Sequence, residues 1–272
     1  MKKLISLTLI LFLSVGFFSR CKKDNGDPPS LPPIGSMTID FSNFVSSKKG
    51  SEILFDQKGT ENGNWEFAAT VAGVWNVILT INLAVPVSSF KLAVDQDPVF
   101  LEDKTWQWSY NVSLLGVTYK ARLTGQIMTS DVEWTMYVSS ENITEFIWFE
   151  GTSKLDGTGG QWILNESADS PSPLLQIDWT KTSSTIGSIK YTYVKNTEPF
   201  NTSYIEYGLT TGDLDAFYSI HYYNSVKKDF SDVNIEWNTS TDNGRVKCSD
   251  YLLGEWYCWN SNKINIVCPQ LK

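Results

Sequence analysis

The chain has 272 residues, with 22 Lys and Arg against 30 Asp and Glu, a formal net charge of −8 and a single histidine. Its length suits one sizeable domain. The acidic balance excludes a protein that holds nucleic acid or anionic lipid by charge, and one histidine excludes the paired-histidine metal motifs.

Lys2 and Lys3 followed by the apolar core Leu4 to Phe18 read as an export signal over residues 1–20. That core is too short to span a bilayer comfortably. Cys21 follows, and residues 21–35, with Lys22-Lys23-Asp24 and the proline-rich run Asp27 to Pro33, form an extended tether that cannot fold alone. Phe18-Ser19-Arg20-Cys21 resembles the lipobox of bacterial lipoproteins, in which a signal peptidase cuts before a cysteine that carries acyl chains. Arg20 stands where that family has Gly, Ala or Ser. The resemblance implies that Cys21 is acylated and anchors the chain to a membrane of the bacterial cell envelope, the outer membrane first among them. An ordinary secreted protein and an uncleaved anchor are the alternatives. Without residues 1–20 the chain keeps 19 basic and 30 acidic residues, a net charge of −11, so acyl chains rather than charge have to supply membrane attachment.

Residues 36–272 read as one β domain with no interior linker. Met37, Ile39 and Phe41 alternate with Thr38 and Asp40, which predicts a short opening strand. Ser46 to Asn64 is a polar loop. The apolar stretch Trp65 to Val94 comes next and predicts a helix over about residues 65–85. Phe67, Val71, Val74, Ile78, Ile81 and Val85 follow a 3.6-residue period, and Glu66, Thr70, Gly73, Asn76 and Thr80 form one narrow polar stripe, so the helix is expected to be buried around most of its circumference. Asn64 is placed to cap it, Glu66 suits its first turn, and Pro86 is expected to stop or kink it. A strand from Trp75 to Val85, where every odd position is apolar, is the rival reading; the length of the run favours the helix.

Period-2 alternation then dominates. Trp106, Trp108, Tyr110, Val112 and Leu114 share one face, Val117 to Leu123 make the return strand, and Val132 to Val138 the next. Further segments follow at 145–150, 161–165, 174–180, 188–194, 203–209, 215–223, 232–237, 244–248 and 255–259. The whole is a mostly β chain, an antiparallel meander of about twelve strands. Such a sheet has to curve strongly or close into a barrel to protect its edges, with the apolar helix in its concave side or across its mouth. Gly157-Thr158-Gly159-Gly160 reads as a turn, since no Lys-Ser or Lys-Thr follows to make a phosphate loop.

Cys248, Cys258 and Cys268 stand ten residues apart near the end of the chain. In an exported protein one disulfide is the default, with one thiol left over. Cys258 with Cys268 would clip the C-terminal tail, Cys248 with Cys258 would need a hairpin near Leu253 and Gly254, and the spacing matches no zinc signature. Three buried free thiols are the remaining possibility.

Four strands repeat an apolar–acid–aromatic triplet that puts Glu133, Asp178, Glu206 and Glu236 on the face opposite the apolar pair. A row of carboxylates of this kind fits a cation site, a sugar site or a glycosidase pair, and equally the solvated outer face of an acidic meander, which is the expected reading. His221 would have to serve any Ser-His-Asp site, but it lies in the aromatic strand Phe217 to Tyr223 with no nucleophile elbow in the chain, so a structural role is expected. No catalytic residue, metal ligand or cofactor is assigned.

Leader, cysteine, tether and single β domain together resemble uncharacterised single-domain lipoproteins of Gram-negative envelopes. At the level of architecture the curved sheet with its helix also resembles half-barrel lipoprotein carriers and lipocalin-like binders. The expected function is a non-enzymatic binding module for an apolar, amphipathic or glycan ligand, with the membrane as a partner through Cys21, an envelope protein as a further partner, and no nucleic acid. A structural lipoprotein with a filled core is the second reading, and a carbohydrate hydrolase the third.

Overall fold

In the computed structural model residues 25–44, 60–114, 116–182 and 185–269 are described. The export signal and Cys21 lie outside the described residues. Alternation of buried and solvated side chains, as in the Asp131–Ser140 strand, is realised as fourteen strands. They are β1 (Val99–Phe100), β2 (Thr105–Leu114), β3 (Val117–Ile127), β4 (Asp131–Ser140), β5 (Ile143–Lys154), β6 (Gly159–Asn165) and β7 (Pro173–Thr182). The second half comprises β8 (Thr185–Tyr193), β9 (Tyr204–Leu209), β10 (Ala216–Asn224), β11 (Asp229–Trp237), β12 (Gly244–Cys248), β13 (Tyr257–Trp259) and β14 (Asn265–Ile266). Each pairs antiparallel with its neighbour in sequence, from β1 to β14, and the sheet does not close on itself. The twelve strands read from alternation are β2 to β13. The two missed are the two-residue edge strands, too short to show a period.

Because the connections alternate, the turns after the even-numbered strands lie at one end of the sheet, here called the upper end, and those after the odd-numbered strands at the lower end. Curvature has a visible source. Gly125 lies opposite Trp134, Gly151 opposite Trp162, Gly160 opposite Trp179, Gly208 opposite Phe217 and Gly244 opposite Trp259 on the neighbouring strand. In each pair the ring covers the bare glycine backbone. A Cβ at Gly125 would sit 2.5 Å from the Trp134 ring, and one at Gly160 would meet the Thr152 carbonyl as well as the Trp179 ring. Glycine is therefore required by close approach, and the covering ring restores the packing that glycine lacks. Bulges between β4 and β5 and between β7 and β8 add to the bend.

Helix α1 spans Gly63–Ala93, longer than the sequence reading, and continues past Pro86, which does not stop it. Pro86 is buried, so contact with the sheet outweighs the roughly 3 kcal/mol that an interior proline costs. Its N-cap is Asn62, not Asn64. Asn64 is instead a buried anchor: its side chain donates to the Cys258 carbonyl at 2.9 Å and accepts from the Tyr251 hydroxyl at 3.0 Å. At the far end of α1 the Tyr110 hydroxyl donates to the Ser89 carbonyl at 2.6 Å, and the Phe90 ring packs edge-on against Phe149 and Trp162. The helix thus bridges β2 and β3 at one edge of the sheet and β12 to β14 at the other. It closes with side chains the gap that backbone pairing leaves open.

The lower half of the concave side is filled by the segment before the helix. The expected strand from Met37 to Phe41 does not form; Ile34–Met37 and Ser42–Phe44 are short 3-10 turns instead. Met37, Phe41 and Phe44 turn into the core, Phe44 meets Trp237 edge-on with ring centroids 4.9 Å apart, and the Trp162 indole donates to the buried Ser36 hydroxyl at 3.1 Å. Apolar spacing in this segment reflected burial and not a ladder. Leu31 already packs against the core.

Candidate functional site

The buried face of α1 is Ala68, Ala72, Trp75, Leu79, Leu83, Pro86, Phe90 and Ala93, not the stripe read from the sequence. Alanines at its N-terminal half let the helix approach the sheet closely, and Trp75, Leu79 and Phe90 fill the space beyond. Of the expected stripe, Phe67 is buried as expected, whereas Val71, Val74, Ile78, Ile81 and Val85 lie on the flank and back of the helix. Ile78 is 38% exposed and Ile81 73%. The helix is apolar on two faces; the second is largely left out of the core, Val71 alone of the groove wall packing against it.

The second face makes a groove. Val71, Val74 and Ile78 form one wall, and the other comes from the upper end of the sheet: Leu175 at the start of β7, Tyr193 at the end of β8, Phe200 in the loop after it, and Tyr222 and Tyr223 at the end of β10. Its volume is about 470 Å³, within the roughly 300 to 1,000 Å³ of ordinary ligand sites. Several polar groups in the walls are already occupied. The Thr70 hydroxyl donates to the Glu66 carbonyl at 2.8 Å, the Ser203 hydroxyl accepts from the Tyr223 amide, and the Tyr222 hydroxyl donates to Asp250. Burial, with Cys248 and Asp250 nearby, pushes the Tyr222 phenol up to about 12, and burial likewise raises Tyr193. Both stay neutral at physiological pH. A ligand entering here meets rings and aliphatic side chains, with few hydrogen-bond partners to spare.

Asp250 fixes the groove's outer rim. Its carboxylate accepts from Lys227, from Ser231 at 2.6 Å and from Asn224 at 2.9 Å. Burial alone would raise its pKa, but these donors prevail and hold the carboxyl at about 2. The turn after β10 and the loop after β12 are thereby tied together.

The other sequence candidates do not converge. Asp178 and Glu206 share a row on the outer face but sit two strands apart with Lys190 between them. That is roughly 9 to 10 Å of sheet, on an open surface that excludes no water. Asp178 accepts from Gln161 and Gln176, Glu236 pairs with Arg245, and Glu133 lies far along the sheet on β4. His221 is stacked between Tyr204 and Phe230, with Nδ1 2.7 Å from Asp232; no serine or cysteine approaches it among the described residues. Both faces of its ring are covered, so it is a structural element of the outer face. Among the described residues no three His, Cys, Asp or Glu side chains gather as a metal site. Cys258 and Cys268 are joined as a disulfide, and Cys248 is buried and free.

By length and composition α1 could cross a membrane; here it lies against the sheet. No family model matches the chain, and no match was found among curated proteins or among solved structures.

Proposed function

We propose that this protein is a non-enzymatic binding module of the bacterial cell envelope, anchored through Cys21, that holds an apolar or amphipathic ligand in the groove between α1 and the upper end of the sheet. The observation that carries the reading is the second apolar face of the helix. Val74 and Ile78 are not part of the core, yet with Val71 they stand opposite Phe200 and three tyrosines across a space large enough for a hydrocarbon chain. The walls are mostly aromatic and aliphatic, and Thr70, Ser203 and Tyr222 are internally paired, which disfavours a glycan in this groove, since sugars need many free donors and acceptors.

A fluorescent polyene fatty acid titrated into the purified protein tests this. Saturable 1:1 binding is expected, and Val74→Trp, which fills the groove from a flank position, should weaken it at least about tenfold without lowering the unfolding midpoint. Binding unaffected by Val74→Trp would rule the groove out.

The second reading, a structural lipoprotein with a filled interior, draws support from the concave side itself. Met37, Phe44, Phe90, Trp162 and Trp237 leave that interior packed. On this reading no fatty acid binds at all, so the same titration separates the two.

A further inference from the structure

We propose that the upper rim of the sheet is a lipid-docking surface through which the groove takes an acyl chain from a zwitterionic bilayer. This rests on the reading of the groove as an apolar site. Single exposed aliphatic residues are ordinary on protein surfaces. Their distribution here is not. The four most exposed large hydrophobics among the described residues are Val267 at 93%, Val226 at 92%, Leu253 at 86% and Ile81 at 73%, and all four belong to the upper end or to the helix lying there. Val226 is three residues beyond Tyr223 of the groove wall, Ile81 is one helical turn beyond Ile78, and Phe200 stands at the mouth itself.

Two further observations favour a bilayer over a protein partner. The apolar side chains sit apart, Val226 and Leu253 on separate connections, Ile81 on the helix and Val267 on the tail after β14, whereas a protein interface has a contiguous apolar centre; a fluid headgroup layer accommodates separate residues. Val226 is followed by Lys227, whose amine is held by Asp250, and by the exposed Lys228, at the tip of a turn in an otherwise acidic chain. Lysines beside an inserted aliphatic residue keep their amines at phosphate level while the neighbour goes deeper. The acidic remainder of the chain opposes strongly anionic surfaces, which leaves zwitterionic lipid as the matching one. By accepting from Asn224, Lys227 and Ser231, the Asp250 carboxylate ties the turn that carries Val226 to the loop that carries Leu253.

The test uses residues 21–272 carrying Cys21→Ser, so that neither the apolar leader nor an acyl anchor contributes, mixed with phosphatidylcholine vesicles and separated by flotation. The parent should float, and Val226→Asp with Leu253→Asp should lower the bound fraction about tenfold at an unchanged unfolding midpoint. Leu155→Asp, a 51% exposed site at the lower end, should change nothing. A rim variant that floats as well as its parent overturns the proposal, as does a parent that stays in solution. Fatty-acid titration of the same proteins separates the two levels. A parent that binds fatty acid without floating removes the docking surface and leaves the groove; one that takes up no fatty acid removes the groove reading itself.

Discussion

Replacing Leu79 by Asp should unfold much of the population, while Ile81→Asp, two residues along the same helix, should be almost silent. Leu79 is 3% exposed and faces the sheet; Ile81 faces away at 73% exposed. Loss of a buried leucine side chain removes about 2 kcal/mol. Placing a carboxylate among alanine, tryptophan and leucine adds about 2 kcal/mol or more, whether it stays charged or takes up a proton. The sum is about 4 kcal/mol in a domain whose whole stability is roughly 5 to 15. With a urea slope of about 2 kcal/mol per molar, the midpoint falls by about 2 M. The surface change should stay within about 0.5 kcal/mol, a shift of roughly 0.25 M. Urea unfolding followed by tryptophan fluorescence reads both, since Trp75 and Trp162 report the helix–sheet contact. Comparable losses at the two sites would show that α1 is not oriented as described. Ile78→Asp, at the groove edge, should fold normally and lose fatty-acid binding.

Asn64→Ala leaves the Cys258 carbonyl and the Tyr251 hydroxyl without their partner and should cost about 1 to 3 kcal/mol by urea midpoint. Reducing the Cys258–Cys268 bond, or Cys268→Ser, should cost about 2 to 3 kcal/mol, measured with and without dithiothreitol. The folded pKa of Asp250, about 2, lies below the ordinary value of about 3.9. Its stabilising contribution is therefore complete above about pH 5 and lost as the pH falls toward 2. Asp250→Asn should flatten that part of the stability–pH curve by roughly 1 to 2 kcal/mol, after allowance for screening at a rim site. Gly151→Val places a branched side chain against the Gln161 carbonyl and 2.6 Å from the Trp162 ring, and thermal unfolding should show a loss of at least about 2 kcal/mol.

The meander was legible because strands with one wet face write their period into the sequence, as Val132, Trp134, Met136 and Val138 do. The register was not, since nothing local says that Gly151 must oppose Trp162. Helix α1 was legible as a helix, but its orientation was not. Val71, Val74, Ile78 and Ile81 are larger and more hydrophobic than Ala68 and Ala72, so a stripe chosen by hydrophobicity selects the wrong side. Close approach to a curved sheet demands small residues, and the alanines met that demand. The groove was missed for the same reason, because its wall was taken for core. The signal that could have found it was the surplus itself: two apolar stripes on one helix, where one is enough to pack it. Segment 37–41 misled in a simpler way, since three alternating residues cannot distinguish a strand from an irregular segment that turns its side chains inward.

The position of α1 in the chain sets the order in which the molecule can assemble. Every strand pairs with its neighbour in sequence, so the sheet can zip up progressively from short-range contacts. The helix cannot finish with it. It is made first, yet its Asn64 end rests on β12 to β14, and some 150 residues separate Ala93 from Gly244. Until those strands arrive, a 31-residue segment apolar enough to enter a bilayer stands without its second support. Docking of that segment is then the step that ends folding, and any delay in the last thirty residues leaves the most aggregation-prone part of the chain uncovered.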